Sequence, residues 1–176
     1  MRCFISIDMP QEIEHEVKKI QKKLPEFKGK LTEFENLHLT LKFLGDGITE
    51  EKIEEIKKRL RDIEMEKFEV SIDEIGVFTE EHIKIIWLHL DSDNLLKLQK
   101  EIDDRLQDLF GPEERFMSHV TIARVKFIHN REKFLEDLKK IKIKEIKFNA
   151  DKFKLMKSEL TSFGPIYKVI EEFLFG

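Results

Sequence analysis

Two short motifs in the chain pair a histidine with a threonine two positions later. His38 is followed by Thr40 and His119 by Thr121, with one apolar residue inside each pair. Imidazole gains or loses a proton near neutral pH, and a threonine hydroxyl donates hydrogen bonds to anionic oxygens. Two such pairs facing each other would supply one base, one acid and two hydroxyl donors. That set suits cleavage of a phosphodiester without a metal ion.

Two cations stand close to these motifs in sequence. Arg124 lies five positions after His119, and Lys42 lies four positions after His38. Guanidinium and ammonium groups bind phosphate oxygens. Both residues are therefore candidates to stabilise the negative charge that develops around phosphorus in the transition state.

Both motifs fall in segments that predict β-strands, 36–44 and 117–125. Residues i and i+2 of a strand share a face, so each histidine stands beside its threonine and the residue between them faces the core. Strict alternation would turn Arg124 to the opposite face from His119. A bulge directly after each threonine would return the fifth residue to the face of the motif, and we expect one in both strands.

The segments around the two motifs repeat one order of elements: strand, helix, strand, helix, strand. Each motif also follows a strand that ends in aspartate, Asp8 in the first repeat and Asp91 in the second. The separation in sequence from Asp8 to His38 is close to that from Asp91 to His119. Repetition of a unit this long, occurring twice, predicts two related lobes.

No linker-like stretch separates the repeats. We therefore expect 1–176 to form one α+β domain of two lobes, with repeat halves 1–85 and 86–176, antiparallel sheets lining a central cleft and helices outside. Further strands are predicted at 2–7, 68–77, 83–90, 143–153, 155–160 and 166–175, with a Gly-Pro turn at 164–165. Helices are predicted at 10–24, 49–63, 95–109 and 131–140.

Composition narrows the class of protein. Hydrophobic residues make up 40% of the 176 residues and include 15 Phe, which excludes general disorder. No apolar run reaches the ~18 residues of a membrane span, and the N-terminus lacks a signal-peptide layout. The net charge of −4 argues against a broad salt-driven nucleic-acid surface but allows a small site. The single cysteine, Cys3, cannot form an internal disulfide, which favours a reducing, cytoplasmic compartment.

Other candidate residues have plainer interpretations. His89 shares a strand face with Trp87, and we expect it to pack rather than to take part in chemistry. Four lysines of the first predicted helix are candidates for an RNA path, because phosphate contacts need clustered cations. These are Lys18, Lys19, Lys22 and Lys23.

The whole chain resembles the RNA 2′,3′-cyclic phosphodiesterases, also called the 2′-5′ RNA ligase or LigT-like family, in the wider group of two-histidine phosphoesterases. The resemblance rests on residues 35–45 and 118–124 around the two motifs. The opening strand 4–8 and the closing segment 158–167 also resemble the family. It implies a bilobal fold in which the two histidine strands line the central cleft.

The resemblance also implies an activity and a site. The activity is hydrolysis of an RNA 2′,3′-cyclic phosphate end to a 2′-phosphate, with no metal and no cofactor. By motif position the implied catalytic residues are His38 and His119. The implied phosphate-binding residues are Thr40, Thr121 and Arg124, and Phe43 is the implied nucleobase-binding residue.

Several alternatives stay open. A reversible 2′-5′ RNA ligase would use the same residues, and a non-catalytic module would capture RNA ends without turnover. The implied partner is RNA with a 2′,3′-cyclic phosphate end, with no membrane partner, and the chain is expected to be a monomer. Whether tRNA halves, short oligonucleotides or a cyclic nucleotide is the working substrate is open, as is which histidine is the acid.

Overall fold

Nine β-strands and four α-helices make up the computed structural model, which describes residues 1–176. The strands are β1 (Arg2–Asp8), β2 (Lys28–Leu31), β3 (His38–Gly45), β4 (Phe68–Val77), β5 (Ile85–Asp91), β6 (His119–Phe127), β7 (Ile146–Ala150), β8 (Lys152–Thr161) and β9 (Gly164–Leu174). The helices are α1 (Glu14–Lys22), α2 (Glu50–Leu60), α3 (Asp93–Phe110) and α4 (Arg131–Lys139).

All nine strands join one antiparallel sheet in the order β7-β4-β5-β6-β3-β1-β8-β9, and β2 pairs with β6 outside that path. The two histidine strands, β3 and β6, lie at its centre and are joined by a single residue pair, Leu39 with Val120. Along this path the sheet consists of two lobes of four strands each, which meet between the histidine motifs, and β2 adds a fifth strand to the lobe that contains β6. The predicted α+β fold is confirmed, with the two lobes continuous through this seam.

The lobes do not coincide with the sequence halves 1–85 and 86–176. β4 pairs with β5 across the expected boundary, and β8 returns to pair with β1. Each lobe therefore takes strands from both halves. The repeated order of elements fixes which segments are strands, but strand pairing depends on tertiary contacts that this order does not specify.

The helices bury their apolar faces against one side of the sheet. In α3, for example, Leu98, Ile102 and Leu106 recur at helical spacing and are fully buried. The helix begins after Ser92, whose hydroxyl accepts a hydrogen bond from the Leu95 N–H at 3.3 Å. All four helices contribute to one cluster of 39 buried apolar residues. The opposite side of the sheet carries the histidines and threonines of the two motifs.

Three local predictions differ from the structure. The segment expected as one strand over 143–153 breaks at Asp151, between β7 and β8. The Gly-Pro pair at 164–165 begins β9 instead of forming the turn, because the Thr161 hydroxyl accepts from the Phe163 N–H and donates to the Gly164 carbonyl and so closes the turn one step earlier. Strand β2 was not predicted.

None of the helices has the length and apolar character needed to cross a membrane.

Candidate active site

Both histidine strands contain a bulge directly after the threonine. Between β3 and β1 the register skips Leu41, and between β6 and β5 it skips Ile122. The extra residue lets the following side chains change face. Arg124 consequently lines the same cavity as His119. The bulges expected from the spacing of five are confirmed.

A cavity of about 450 Å³ lies over the seam between the lobes. Five of the residues singled out in the sequence line it: His38, Thr40, His119, Thr121 and Arg124. Continuing the antiparallel register from the single β3–β6 pair places each histidine opposite the threonine of the other motif. The two pairs therefore face one space, related by an approximate twofold axis.

Other elements complete the cavity wall. The β2 segment and the turn before β3 supply Lys30, Leu31, Thr32, Glu33 and Asn36. The β8–β9 hairpin supplies Phe163, Gly164, Pro165 and Tyr167, and β5 supplies Ile85. Sequence reasoning missed most of these residues. Tyr167 is the last residue of the closing segment, 158–167, that resembles the family.

The two imidazoles are oriented in the same way. His38 Nδ1 lies 2.8 Å from the Asn36 carbonyl oxygen, and His119 Nδ1 lies 2.8 Å from the Met117 carbonyl oxygen. Because a carbonyl can only accept, Nδ1 donates its hydrogen in both rings. The Nε2 atom of each neutral ring is then the acceptor, and it becomes a donor on protonation. Either histidine can serve as base or acid at Nε2.

An aromatic ring packs edge-on against each histidine. Tyr167 contacts His38 with ring centroids 5.1 Å apart, and Phe78 contacts His119 at 4.9 Å. Phe4 also lies 4.9 Å from His38. These rings restrict the rotation of both imidazoles, which favours a preorganised pair.

The surroundings of His38 change its affinity for a proton. Burial lowers the pKa of His38, and the charges of Arg124 and His119 lower it further. The Asn36 carbonyl and the carboxylate of Asp8 act in the opposite direction without reversing the shift. The net shift favours the neutral form of His38.

The residue opposite each histidine on the neighbouring strand differs between the lobes. Asp8 pairs with His38 and His89 pairs with His119, and the two pairs have the same separation in sequence. The counterpart of Asp8 is therefore His89, and not the aspartate that ends β5. His89 does not merely pack, since its Nδ1 lies 2.7 Å from a carboxylate oxygen of Asp73. The pseudo-equivalent lobes thus surround their histidines with different charges.

Strand β2 brings a further cation to the cavity. Lys30 pairs with Arg124 across the β2–β6 ladder, so both side chains stand on one face. The approach of the strands depends on Gly29, because a Cβ there would overlap the Arg124 carbonyl oxygen. Four residues with two lysines and a glycine are too short and polar to predict a strand, and the glycine is the one local hint of close backbone packing.

Lys42 is not part of the cavity, contrary to expectation. Its ammonium group is buried on the helix side of the sheet, 2.6 Å from Asp103 Oδ1 and 2.9 Å from the Gly111 carbonyl oxygen. The bulge at Leu41 explains this placement, because it puts two consecutive residues, Leu41 and Lys42, on the buried side. Lys42 therefore forms a structural ion pair.

Phe43, the residue implied to bind a nucleobase, lies outside the cavity, whereas Phe163 lies in its wall. Phe43 is half exposed and lies under the guanidinium group of Arg2, 5.1 Å from the ring centre, and it does not line the cavity. Phe163 lines the cavity at the tip of the β8–β9 hairpin and is 91% exposed. An apolar ring this exposed beside polar groups is available for stacking.

Comparisons with known proteins agree on one family. The pattern of a family described as LigT-like phosphoesterases matches residues 7–87 and 90–167. An RNA 2′,3′-cyclic phosphodiesterase of Methanocaldococcus jannaschii is 42% identical over 98% of this chain and 99% of its own length. One of Thermotoga maritima is 37% identical over 98% of this chain and 94% of its own length. A solved structure from Thermus thermophilus is 25% identical, covers 99% of this chain and 97% of that chain, and has a TM-score of 0.79.

Proposed function

The chain belongs to the LigT-like phosphoesterase family, and on that premise we propose that it hydrolyses 2′,3′-cyclic phosphate ends of RNA to 2′-phosphates. The observation that carries this function is the pairing of His38 and His119 in the wall of one cavity. The Nδ1 atom of each ring contacts a backbone carbonyl, which leaves Nε2 for proton transfer. The relatives named RNA 2′,3′-cyclic phosphodiesterase support the substrate class.

The proposed mechanism divides proton transfer between the histidines. His38, whose neutral form is favoured by its surroundings, accepts a proton from the water whose oxygen attacks phosphorus. The bond between phosphorus and O3′ breaks, and protonated His119 gives its Nε2 proton to the departing O3′. One proton is taken up and one is released, which leaves a 2′-phosphate and a free 3′-hydroxyl. Two imidazoles supply both transfers, so the mechanism requires no metal ion.

The remaining cavity residues hold the phosphate. Thr40 and Thr121 are proposed to donate hydrogen bonds to the two non-bridging oxygens, one from each motif. Arg124 and Lys30 add positive charge where the negative charge on those oxygens increases. Each of these groups is in place before the substrate binds, so little reorganisation is needed at the moment of reaction.

The test is an end-group analysis. The protein, treated with a chelator, is incubated with a short RNA ending in a 2′,3′-cyclic phosphate, and the product end is identified. We expect a 2′-phosphate. A 3′-phosphate would contradict the proposed leaving group, and tight binding without turnover would favour the end-binding module. Adding RNA with a 5′-hydroxyl and looking for a 2′-5′ junction tests the ligase alternative.

The dependence of activity on pH should report the environment of His38. In the proposed mechanism kcat/KM falls as pH drops through the pKa of the base, so we expect the acidic limb below about pH 6.5, the ordinary histidine value. Asp8→Asn removes a charge that raises the pKa of His38, so the limb should move to lower pH. A shift to higher pH, or a profile flat between about pH 5 and 9, would contradict the role of His38 as base.

The exposed ring of Phe163 is proposed to stack on the terminal nucleobase. Phe163→Ala should raise KM by roughly fivefold or more with little change in stability, because base–aromatic stacking is worth about 1–3 kcal/mol and the ring is exposed. Phe43→Ala is the matched control and should have the smaller effect. A larger effect of Phe43→Ala would place the base where the family resemblance implies.

Several finer properties complete the proposal. We propose that the enzyme acts as a monomer, because both motifs and the whole cavity wall come from one chain. We propose a cytoplasmic location, since Cys3 is a free, buried thiol. Its substrates are proposed to be RNA ends left by cleavage of longer RNAs, tRNA halves among them.

A further inference from the structure

A second cavity, of about 470 Å³, lies past the end of β6 that is farther from His119. It is formed by the segment after α1, the start of β2, the end of β6 and α4. Its lining residues are Pro25, Glu26, Phe27, Lys28, Phe127, His129, Asn130, Lys133, Phe134 and Asp137. None of them takes part in the mechanism above.

Aromatic rings form much of its wall. Phe127 is 52% exposed, and its ring lies 5.8 Å from that of His129. Behind them Phe27 packs edge-on against the buried Phe134, with centroids 6.5 Å apart. The wall is therefore fixed by the core while one ring remains open to solvent. Such a ring stacks with any nucleobase, because every base has a π-face.

The charges around this cavity favour a polyanion. Lys28 and Lys133 line it, and neither forms a salt bridge. Two carboxylates, Glu26 and Asp137, also line the cavity. Asp137 forms a salt bridge with Lys140 at 3.7 Å, so the two cavity lysines face one unpaired carboxylate, that of Glu26. Lys22 and Lys23, at the end of α1, precede the cavity in sequence. None of the four lysines predicted as an RNA path lines the cavity itself.

The second cavity and the active site lie along one strand pair. Lys30 and Arg124 are paired and line the catalytic cavity, whereas Lys28 and Phe127 are paired and line the second cavity. Arg124 and Phe127 are three positions apart on β6, a rise of at most about 10 Å because the register skips Lys126. A single bound RNA chain can therefore reach both cavities.

We propose that the second cavity binds the RNA chain upstream of its cyclic phosphate end, with a base stacked on Phe127 and backbone phosphates held by Lys28 and Lys133. The inference rests on the proposed function and narrows its substrate class to oligoribonucleotides rather than free cyclic mononucleotides. The mononucleotide fills only the catalytic cavity, so the second cavity contributes nothing to its binding.

The experiment compares two substrates, adenosine 2′,3′-cyclic phosphate and a short oligoribonucleotide with a 2′,3′-cyclic phosphate end. Phe127→Ala should lower kcat/KM for the oligonucleotide by roughly fivefold or more through KM, and leave the mononucleotide unaffected. Lys28→Ala with Lys133→Ala should make the slope of log kcat/KM against log salt shallower by about 0.7 for each lost phosphate contact.

The matched control is Leu96→Ala with Lys97→Ala, which removes an exposed apolar residue and a lysine from α3, away from both cavities. Equal effects of Phe127→Ala on both substrates, or equal kcat/KM of the unaltered protein for both, would overturn the inference. Binding of a fluorescent oligoribonucleotide gives a second readout. If neither substrate is hydrolysed yet Phe127→Ala weakens this binding fivefold, the second cavity stands and the proposed hydrolysis fails. If binding is unchanged, the second cavity is not an RNA site.

Discussion

Replacing either His38 or His119 by alanine is expected to lower kcat/KM for an RNA 2′,3′-cyclic phosphate by about 10²–10⁴-fold. Each imidazole carries one of the two proton transfers, and its Nε2 has no substitute in the cavity. The double variant should lose little beyond the more damaging single variant, because the two groups act as one unit. Steady-state kinetics on the purified variants measures this directly.

His89→Ala is the matched control for those variants. His89 lies opposite His119 on the next strand and contacts Asp73, but it does not line the catalytic cavity. We expect it to retain most of the activity. Activity surviving in His38→Ala or His119→Ala at the level of this control would mean that the two-histidine mechanism is wrong.

Lys42→Met is expected to lower the free energy of unfolding by about 3–5 kcal/mol at neutral pH, the usual result of removing one partner of a buried ion pair. The Lys42 side chain is 2% exposed and its ammonium group lies 2.6 Å from Asp103. Without it the carboxylate keeps only its hydrogen bond from the Glu113 N–H. Urea unfolding followed by circular dichroism measures the change.

The loss should depend on pH in a defined direction. Burial would raise the pKa of Asp103, but hydrogen bonds from Lys42 and the Glu113 backbone outweigh it and leave the pKa below its usual range. The ion pair therefore contributes stability above about pH 4, the ordinary aspartate value, and this contribution disappears as pH falls through the lowered pKa of Asp103. The penalty of Lys42→Met should shrink over the same range.

Two further variants test whether the role of Lys42 is structural or catalytic. Lys100→Met breaks an exposed pair with Asp104 and should cost less than about 1 kcal/mol. Lys42→Met with Asp103→Leu should recover part of the lost stability, since no unpaired charge remains buried. A Lys42→Met protein that is fully stable but slow would restore this lysine to the active site.

The histidine site could be predicted because it depends on the spacing of residues within single strands. Alternation on a strand pairs His38 with Thr40, and the same alternation makes Arg124 inconsistent unless a bulge intervenes. The alternation of side chains therefore predicts both the shared face of each motif and the bulge that follows it. The bulge in β3 has a second effect, since it turns the Lys42 side chain to the buried side of the sheet.

The parts that could not be predicted depend on contacts between distant segments. Phe163 joins the cavity only because β8 and β9 fold back beside β1, and Lys30 joins it only because Gly29 lets β2 approach β6. The pairing of His89 with His119 requires the strand register. The available signal was that these two histidines are as far apart in sequence as Asp8 and His38.

The exchange of strands between the lobes has a consequence for the newly made chain. β1 is apolar along most of its length, and one of its edges pairs with β8, near the end of the sequence. While the chain is still on the ribosome, that edge has no partner, even after β3 has been made. Pairing so distant in sequence slows folding, and an apolar strand with an open edge is prone to aggregate. β1 therefore depends on a strand made much later in the chain, and its lobe is completed only after β8 and β9 have been made.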